Sequence, residues 1–235
     1  MRTKLIIMCA LMVSLNCIDA LAQQSYPDSI FAYEMENRIT YKGKAPKIGD
    51  FLSSYLDIEE TGELFGSVLD AWRLYLRQQP QKPCEQFMLD EKNGYLRYTF
   101  DSQSCDFYDD LIDRTYYEMC YWNCADGKHK LIAENCFTLI DNKYILGQYS
   151  GISFFLYDNA SHKMWTVAGE DIGAWVEEVI DESNCETGEQ LTDSDIPIVV
   201  YHLPQQGKDI NVEICHGNKR TVTRLVWDGM RFKRE

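Results

Sequence analysis

Cys120, Cys124, His129 and Cys136 carry the donor types of a tetrahedral zinc site, since thiolate and imidazole are that ion's usual ligands. Their spacing argues otherwise. A two-residue turn at Asp126-Gly127 sets Cys120 opposite Ala133 and Cys136 opposite Tyr117 on the other face of a hairpin. Cys120 and Cys124 share a face but lie about 13 Å apart along an extended strand. These cysteines therefore read as small buried residues of a sheet, and neither a metal nor a cofactor is assigned. The four histidines are the next candidates, because imidazole alone titrates near neutrality without help. His129, His162 and His216 fall near turns. His202 falls inside a strong strand, on the face of Ile198 and Val200, and reads as a satisfied core or sheet-edge residue. No serine occupies a Gly-x-Ser-x-Gly turn, and neither a His-Glu-x-x-His helix nor a phosphate loop is present.

Carboxylates supply two further candidates. Asp101, Asp106, Asp109, Asp110 and Asp113 form an acidic run without the alternate spacing and central glycine of a calcium loop, so it reads as solvated. The stretch from Glu170 to Asp195 holds ten acidic residues and no lysine or arginine. A helix over 171–180 would bury Ile172, Trp175, Val176 and Val179, leaving Glu177, Glu178, Asp181 and Glu182 towards solvent. Negative charge at a helix C-terminus opposes the helix dipole. These four residues are thus the candidate binding surface, with Arg220, Arg224 and Arg231 expected to soften the repulsion.

The elements that must position these groups follow from periodicity. The chain has 235 residues, 45% of them hydrophobic and 26% charged, which is the composition of a globular protein with a substantial core. Its formal charge of −14 repels phosphate backbones, so nucleic acid is not expected as a partner. Ile48, Phe51, Leu52, Tyr55 and Leu56 lie on one helical face, and a second stripe runs through Val68, Leu69, Trp72, Tyr75 and Leu76 to a stop at Gln79-Pro80. From Pro83 the period changes to two. Strands are predicted at 85–90, 96–100, 116–123, 130–140, 152–157, 164–167, 198–203, 210–214, 221–227 and 230–233, joined by short turns that force antiparallel neighbours. Tyr116, Trp122, Leu131 and Phe137 would share one hairpin face, using as core some of the 15 tyrosines and 5 tryptophans that could otherwise stack on sugars. The expected fold is α+β: an antiparallel, β-rich meander of about eight to ten strands with two or three helices, mainly N-terminal. Residues 23–235 are expected to form one globular domain, helical over 23–82 and β-rich over 83–235.

Residues 1–22 read as a cleaved secretory signal, with Arg2 and Lys4 before an apolar run from Leu5 to Leu15 and Ala20-Leu21-Ala22 before Gln23. The run is too short to span a bilayer, which takes about 20 residues. Seven cysteines then remain in an oxidising compartment, an odd number, and Cys84 with Cys105 is the expected disulfide because they flank the 85–100 hairpin.

The closing stretch, Leu203 to Ile210 followed by Arg224 to Phe232, resembles the C-terminal ends of small secreted proteins of Bacteroidetes that have no assigned function. The signal ending in Ala22-Gln23 and the stretch Met119 to Lys128 are similar in the same way. The resemblance implies a periplasmic or outer-surface location and no active-site residue. The expected function is therefore that of an exported, non-catalytic protein binding a partner protein or glycan. The alternative is a secreted hydrolase whose carboxylates and histidine are dispersed in sequence.

Overall fold

The computed structural model describes residue 26 and residues 37–56, 63–102, 113–146, 150–174, 197–216 and 219–235. Two α-helices, α1 (Ile48–Leu56) and α2 (Glu63–Leu76), precede most of the strands. In α1 the predicted face is the buried one, with Ile48, Phe51 and Leu52 fully enclosed. The Asp50 carboxylate accepts the Lys47 amide at 2.8 Å and so satisfies a donor at the helix start. In α2 the stripe holds through Val68, Ala71 and Trp72 and then surfaces, since Tyr75 is 38% and Leu76 60% exposed. The Trp72 ring lies over Gly49, and its indole N–H donates to the Ser53 hydroxyl at 3.0 Å. That contact joins the two helices.

The strands are β1 (Asn37–Arg38), β2 (Glu85–Asp90), β3 (Tyr95–Asp101), β4 (Asp113–Asn123), β5 (His129–Ile140), β6 (Lys143–Ile145), β7 (Gly151–Asp158), β8 (Lys163–Val167), β9 (Ile198–His202), β10 (Ile210–His216), β11 (Lys219–Trp227) and β12 (Phe232–Arg234). Eight form one antiparallel sheet in the order β1-β8-β7-β5-β4-β3-β2, with β6 attached to β5, and four form a second in the order β12-β11-β10-β9. The fold is thus α+β with a meander at its centre. Twelve strands are present among the described residues against the eight to ten expected, the excess coming from the short β1 and β6.

The large sheet is the middle of three layers. Alternation sends Phe87, Leu96, Tyr98, Tyr117, Met119, Ile132 and Phe155 to the helices, and Tyr95, Cys120, Trp122, Leu131, Ala133, Phe154 and Leu156 to the small sheet. On the second side Trp122 meets Trp227 and Phe232 at centroid distances of 5.9 and 5.3 Å, and Tyr116 stacks on Phe137 at 4.8 Å. Two buried polar side chains dock the small sheet. Asn135 donates to the Tyr201 carbonyl at 2.7 Å, and Glu118 accepts the Leu203 amide at 3.0 Å and the Tyr95 hydroxyl at 2.7 Å. They occupy backbone groups at the edge of β9 that a further strand would otherwise satisfy.

The β4–β5 register is the one expected, with Cys120 opposite Ala133 and Cys136 opposite Tyr117. The turn differs. The Cys124 amide donates to the His129 carbonyl at 3.0 Å, which makes the loop four residues, Ala125 to Lys128, rather than two. Asp126 organises it by accepting the amides of Lys128 and His129 and by contacting the His129 ring at 2.6 Å. The helix expected over 171–180 is corrected at its start. Glu170–Ile172 is a 3-10 turn closed by Gly173 at φ 67°, a left-handed conformation that stops helical propagation. The remainder, 175–180, lies outside the described residues, as do 1–22.

Candidate functional site

Strand pairing in the small sheet assembles a polar cluster that no local motif announces. β9 and β11 flank β10, so Glu213 stands opposite Val200 and Val222 while Arg220 stands opposite Cys215. The Glu213 carboxylate, in a residue only 8% exposed, takes the Arg220 guanidinium at 2.5 Å and lies 3.2 Å from His202 Nε2 on the same oxygen. From the large sheet, the Tyr144 hydroxyl reaches His202 Nε2 at 3.4 Å and the Phe137 ring packs edge-on against His202. The second oxygen of Glu213 is buried with no hydrogen-bond partner.

This cluster contains an imidazole, a carboxylate and a thiol, the parts of a nucleophilic site, but the protonation states are wrong for one. Burial and then the Glu213 charge push the Cys215 thiol up, which keeps it a thiol and a poor nucleophile. The same two causes push Tyr144 up to about 12 and fix it as a donor. Arg220 stays charged because Glu213 holds its guanidinium. The arrangement binds β9, β10, β11 and β6 together at a sheet margin, and His202 is the satisfied sheet residue expected of it.

The cysteines of the β4–β5 hairpin are governed by burial. Cys120 faces the small sheet and Cys136 the helices, and desolvation raises both, Cys136 to about 12. Cys124 is raised to about 12, again by burial first, and its sulfur lies 3.6 Å from the Tyr26 hydroxyl, which donates to the Met230 carbonyl at 2.6 Å. A cysteine ligates zinc only as the thiolate. Among the described residues no group of three or more His, Cys, Asp or Glu is placed to hold a metal.

A cleft of about 790 Å³ opens on the other face of β9. Its cause is a mismatch in strand length: β8 pairs with Phe154 to Tyr157 only, so residues 151–153 of β7 run on beyond the end of β8. Ile152, Phe154, Val167 and Val199 form apolar walls, and the Tyr201 ring lies among the lining residues. No Asp, Glu, His, Lys or Arg occurs among its described lining residues. Strand alternation sends Val199 and Tyr201 towards this cleft and His202 away from it, so the cleft and the titratable cluster are separated by β9 itself.

Other sequence-derived sites fall as follows. Glu177, Glu178, Asp181 and Glu182 lie outside the described residues. Arg220 and Arg224, expected to face them, hold Glu213 and Glu235 respectively, Arg224 at 2.7 Å from Glu235 and 3.8 Å from Asp209. The Arg231 amide donates to Asp228. Asp101 pairs with Arg114 at 3.0 Å, while Asp106, Asp109 and Asp110 lie outside the described residues. Cys84 is disulfide-bonded, and Cys120, Cys124, Cys136 and Cys215 are free. Cys105, its expected partner, lies outside the described residues. His216 is exposed at the end of β10, and His162 stacks on Tyr41 with ring centroids 5.3 Å apart. Sequence reasoning missed Tyr144 and Glu213, although the β10–β11 hairpin register would have set Glu213 opposite Val222.

Asp126 provides a test of the hairpin that presents Cys124 and His129. Burial alone would raise its carboxyl, but bonds from the His129 ring and from the amides of Lys128 and His129 outweigh it and hold the group below the usual range. A depressed carboxyl contributes stability in full above the ordinary value of 3.8 and loses it as pH falls through the lower folded value. Asp126→Ala should therefore cost about 1 kcal/mol near neutral pH, with the gap from the parent narrowing below pH 3.8. Urea unfolding at a series of pH values measures it, and a pH-independent gap would show that the carboxylate charge contributes nothing.

No protein-family model, curated protein or solved structure matches the chain. Its class is defined by the layers themselves, two helices on one face of an eight-stranded antiparallel sheet and a four-stranded sheet on the other.

Proposed function

We propose that this protein is exported and acts in the periplasm or at the cell surface as a non-catalytic binding protein for a glycan or a partner protein. The observation that carries the reading is the cleft beside β9, which offers apolar walls and the Tyr201 ring and, among its described lining residues, no Asp, Glu, His, Lys or Arg. An uncharged lining with an aromatic ring suits a neutral ligand and favours the glycan. The disulfide at Cys84 supports an oxidising compartment, as do the leader-like residues 1–22 and the resemblance to secreted Bacteroidetes proteins. Two measurements test it. Peptide mapping of protein from its native host, without reduction, should find Gln23 at the N-terminus and Cys84 joined to Cys105; an intact Met1 would remove the export reading. Titration calorimetry with a panel of neutral plant and bacterial oligosaccharides should give binding that Val199→Trp, which fills the cleft, weakens at least tenfold. Release of shorter sugars during the titration, or binding indifferent to that substitution, would overturn the reading.

A further inference from the structure

The overall charge of −14 hides a local reversal. Between Arg38 and Lys47 the chain carries Arg38, Lys42, Lys44 and Lys47 and no carboxylate. Lys47 is committed to Glu91 at 2.6 Å. Arg38, Lys42 and Lys44 are exposed, and none has an ion-pair partner among the described residues. The segment borders a second, shallow cavity of about 570 Å³ lined by Arg38, Thr40, Tyr41, Gly43 and His162.

Its construction follows from β1. Arg38 stands opposite Lys163 in the β1–β8 pair, and the next amide, that of Ile39, donates to the His162 carbonyl at 2.9 Å. The chain is thereby pinned beside the β7–β8 turn. His162, at φ 61°, presents its ring to Tyr41, and the two planes are 15° from parallel. Ile39 is buried beneath them, which fixes the floor, and Gly43 leaves the rim open with no atom within 4 Å of where a Cβ would stand. The carboxylate of the turn, Asp158, is occupied by the Ala160 amide at 2.7 Å and the Ser161 hydroxyl at 3.0 Å. At physiological ionic strength charge is screened over about 8 Å, so carboxylates farther away than that do not cancel these cations.

We infer that this cavity is a second binding site, specific for an anionic sugar, with the carboxylate or sulfate held by Arg38 and the sugar ring against the Tyr41–His162 pair. The two faces of the chemistry are both present: a guanidinium matches a planar or tetrahedral oxyanion through paired N–H donors, and a flat aromatic surface takes the apolar face of a pyranose. Thr40 adds a hydroxyl at the same rim. Lys42 and Lys44, exposed on the same stretch of chain, add positive charge. The site is remote from the cleft beside β9 in residues used and does not depend on the ligand proposed there.

The test is titration calorimetry of the full chain with three probes: trigalacturonate, a sulfated trisaccharide and a neutral trisaccharide. The expected result is binding of at least one anionic probe and none of the neutral probe at this site. The carboxylated and sulfated probes distinguish the two sources of the anion. Affinity should fall at least fivefold between low and high salt, because the attraction is between exposed charges. Arg38→Glu should abolish it and Arg38→Lys should retain part, since lysine keeps the charge and loses the paired donors. His162→Asn, which tolerates the left-handed backbone, should weaken it at least threefold through loss of the ring. Circular dichroism verifies that each variant folds, and Val199→Trp should leave anionic-sugar binding unchanged, which separates failure of this site from failure of the cleft. Absence of binding by both anionic probes at millimolar concentration, equal binding of the neutral probe by the cleft-filled Val199→Trp variant, or indifference to Arg38→Glu would overturn the proposal.

Discussion

Replacing Glu118 by alanine is expected to lower the unfolding free energy by about 3 kcal/mol, because it leaves two buried donors without acceptors. Glu118 is 5% exposed and lies between the two sheets, where its oxygens accept the Tyr95 hydroxyl at 2.7 Å and the Leu203 amide at 3.0 Å. Each orphaned donor costs about 1–3 kcal/mol. Burial, followed by the Glu118 charge, pushes the Tyr95 phenol far up, so that it remains a donor at every relevant pH. Arg97 stands directly opposite Glu118 across the β3–β4 pair. Glu118→Gln keeps an acceptor and should cost about 1–2 kcal/mol. Asn135, opposite Glu118 in the β4–β5 register, holds the same stretch of β9 through the Tyr201 carbonyl. The double substitution with Asn135→Ala should therefore be non-additive by about 0.5 kcal/mol or more. Urea unfolding with an unchanged slope reads all three. A loss below about 1 kcal/mol for Glu118→Ala would mean that apolar packing alone docks the small sheet.

The parts of this architecture legible in the sequence are those set by alternation and by turn chemistry. The β4–β5 register was readable from Asp126-Gly127 alone, because a symmetrical four-residue loop, 125–128, about the same centre preserves the pairing of a two-residue turn. β1 and β6 were not readable, since two and three residues carry no period. The helical pattern of Ile172, Trp175, Val176 and Val179 concealed a conflict at Gly173, whose left-handed backbone closes the chain after a single 3-10 turn. The candidate sites were less legible for a topological reason. Tyr144, His202, Glu213 and Arg220 meet through strand pairing and the docking of one sheet on another, and no window of sequence contains them. The cleft owes its existence to the place where β8 stops rather than to any residue type. The basic stretch from Arg38 to Lys47 is local, and a net charge of −14 summed over the chain masks it.

Gly173→Ala should be the most damaging single-methyl change among the described glycines, at about 3 kcal/mol or more, because two independent penalties fall on one atom. The backbone at φ 67° disfavours any Cβ, a cost of about 1–2 kcal/mol. The added carbon would also approach the Phe232 carbonyl oxygen of β12 well inside the 3.0 Å that real Cβ contacts respect, and a strand backbone cannot swing aside as a flexible side chain can. Overpacking of this kind costs about 1–3 kcal/mol. Gly207→Ala is the matched control, since Gly207 has φ 88° but no atom within 4 Å of the Cβ position, and it should show the conformational penalty alone. Gly173→Asn, which relieves part of the left-handed strain and keeps the clash, should fall between the two alanine variants. The difference between Gly173→Ala and Gly207→Ala in thermal and urea unfolding then measures how tightly the 3-10 turn after β8 is pressed onto β12. Equal losses would show that β12 yields, and that the junction of the two sheets beside the cleft is softer than its packing implies.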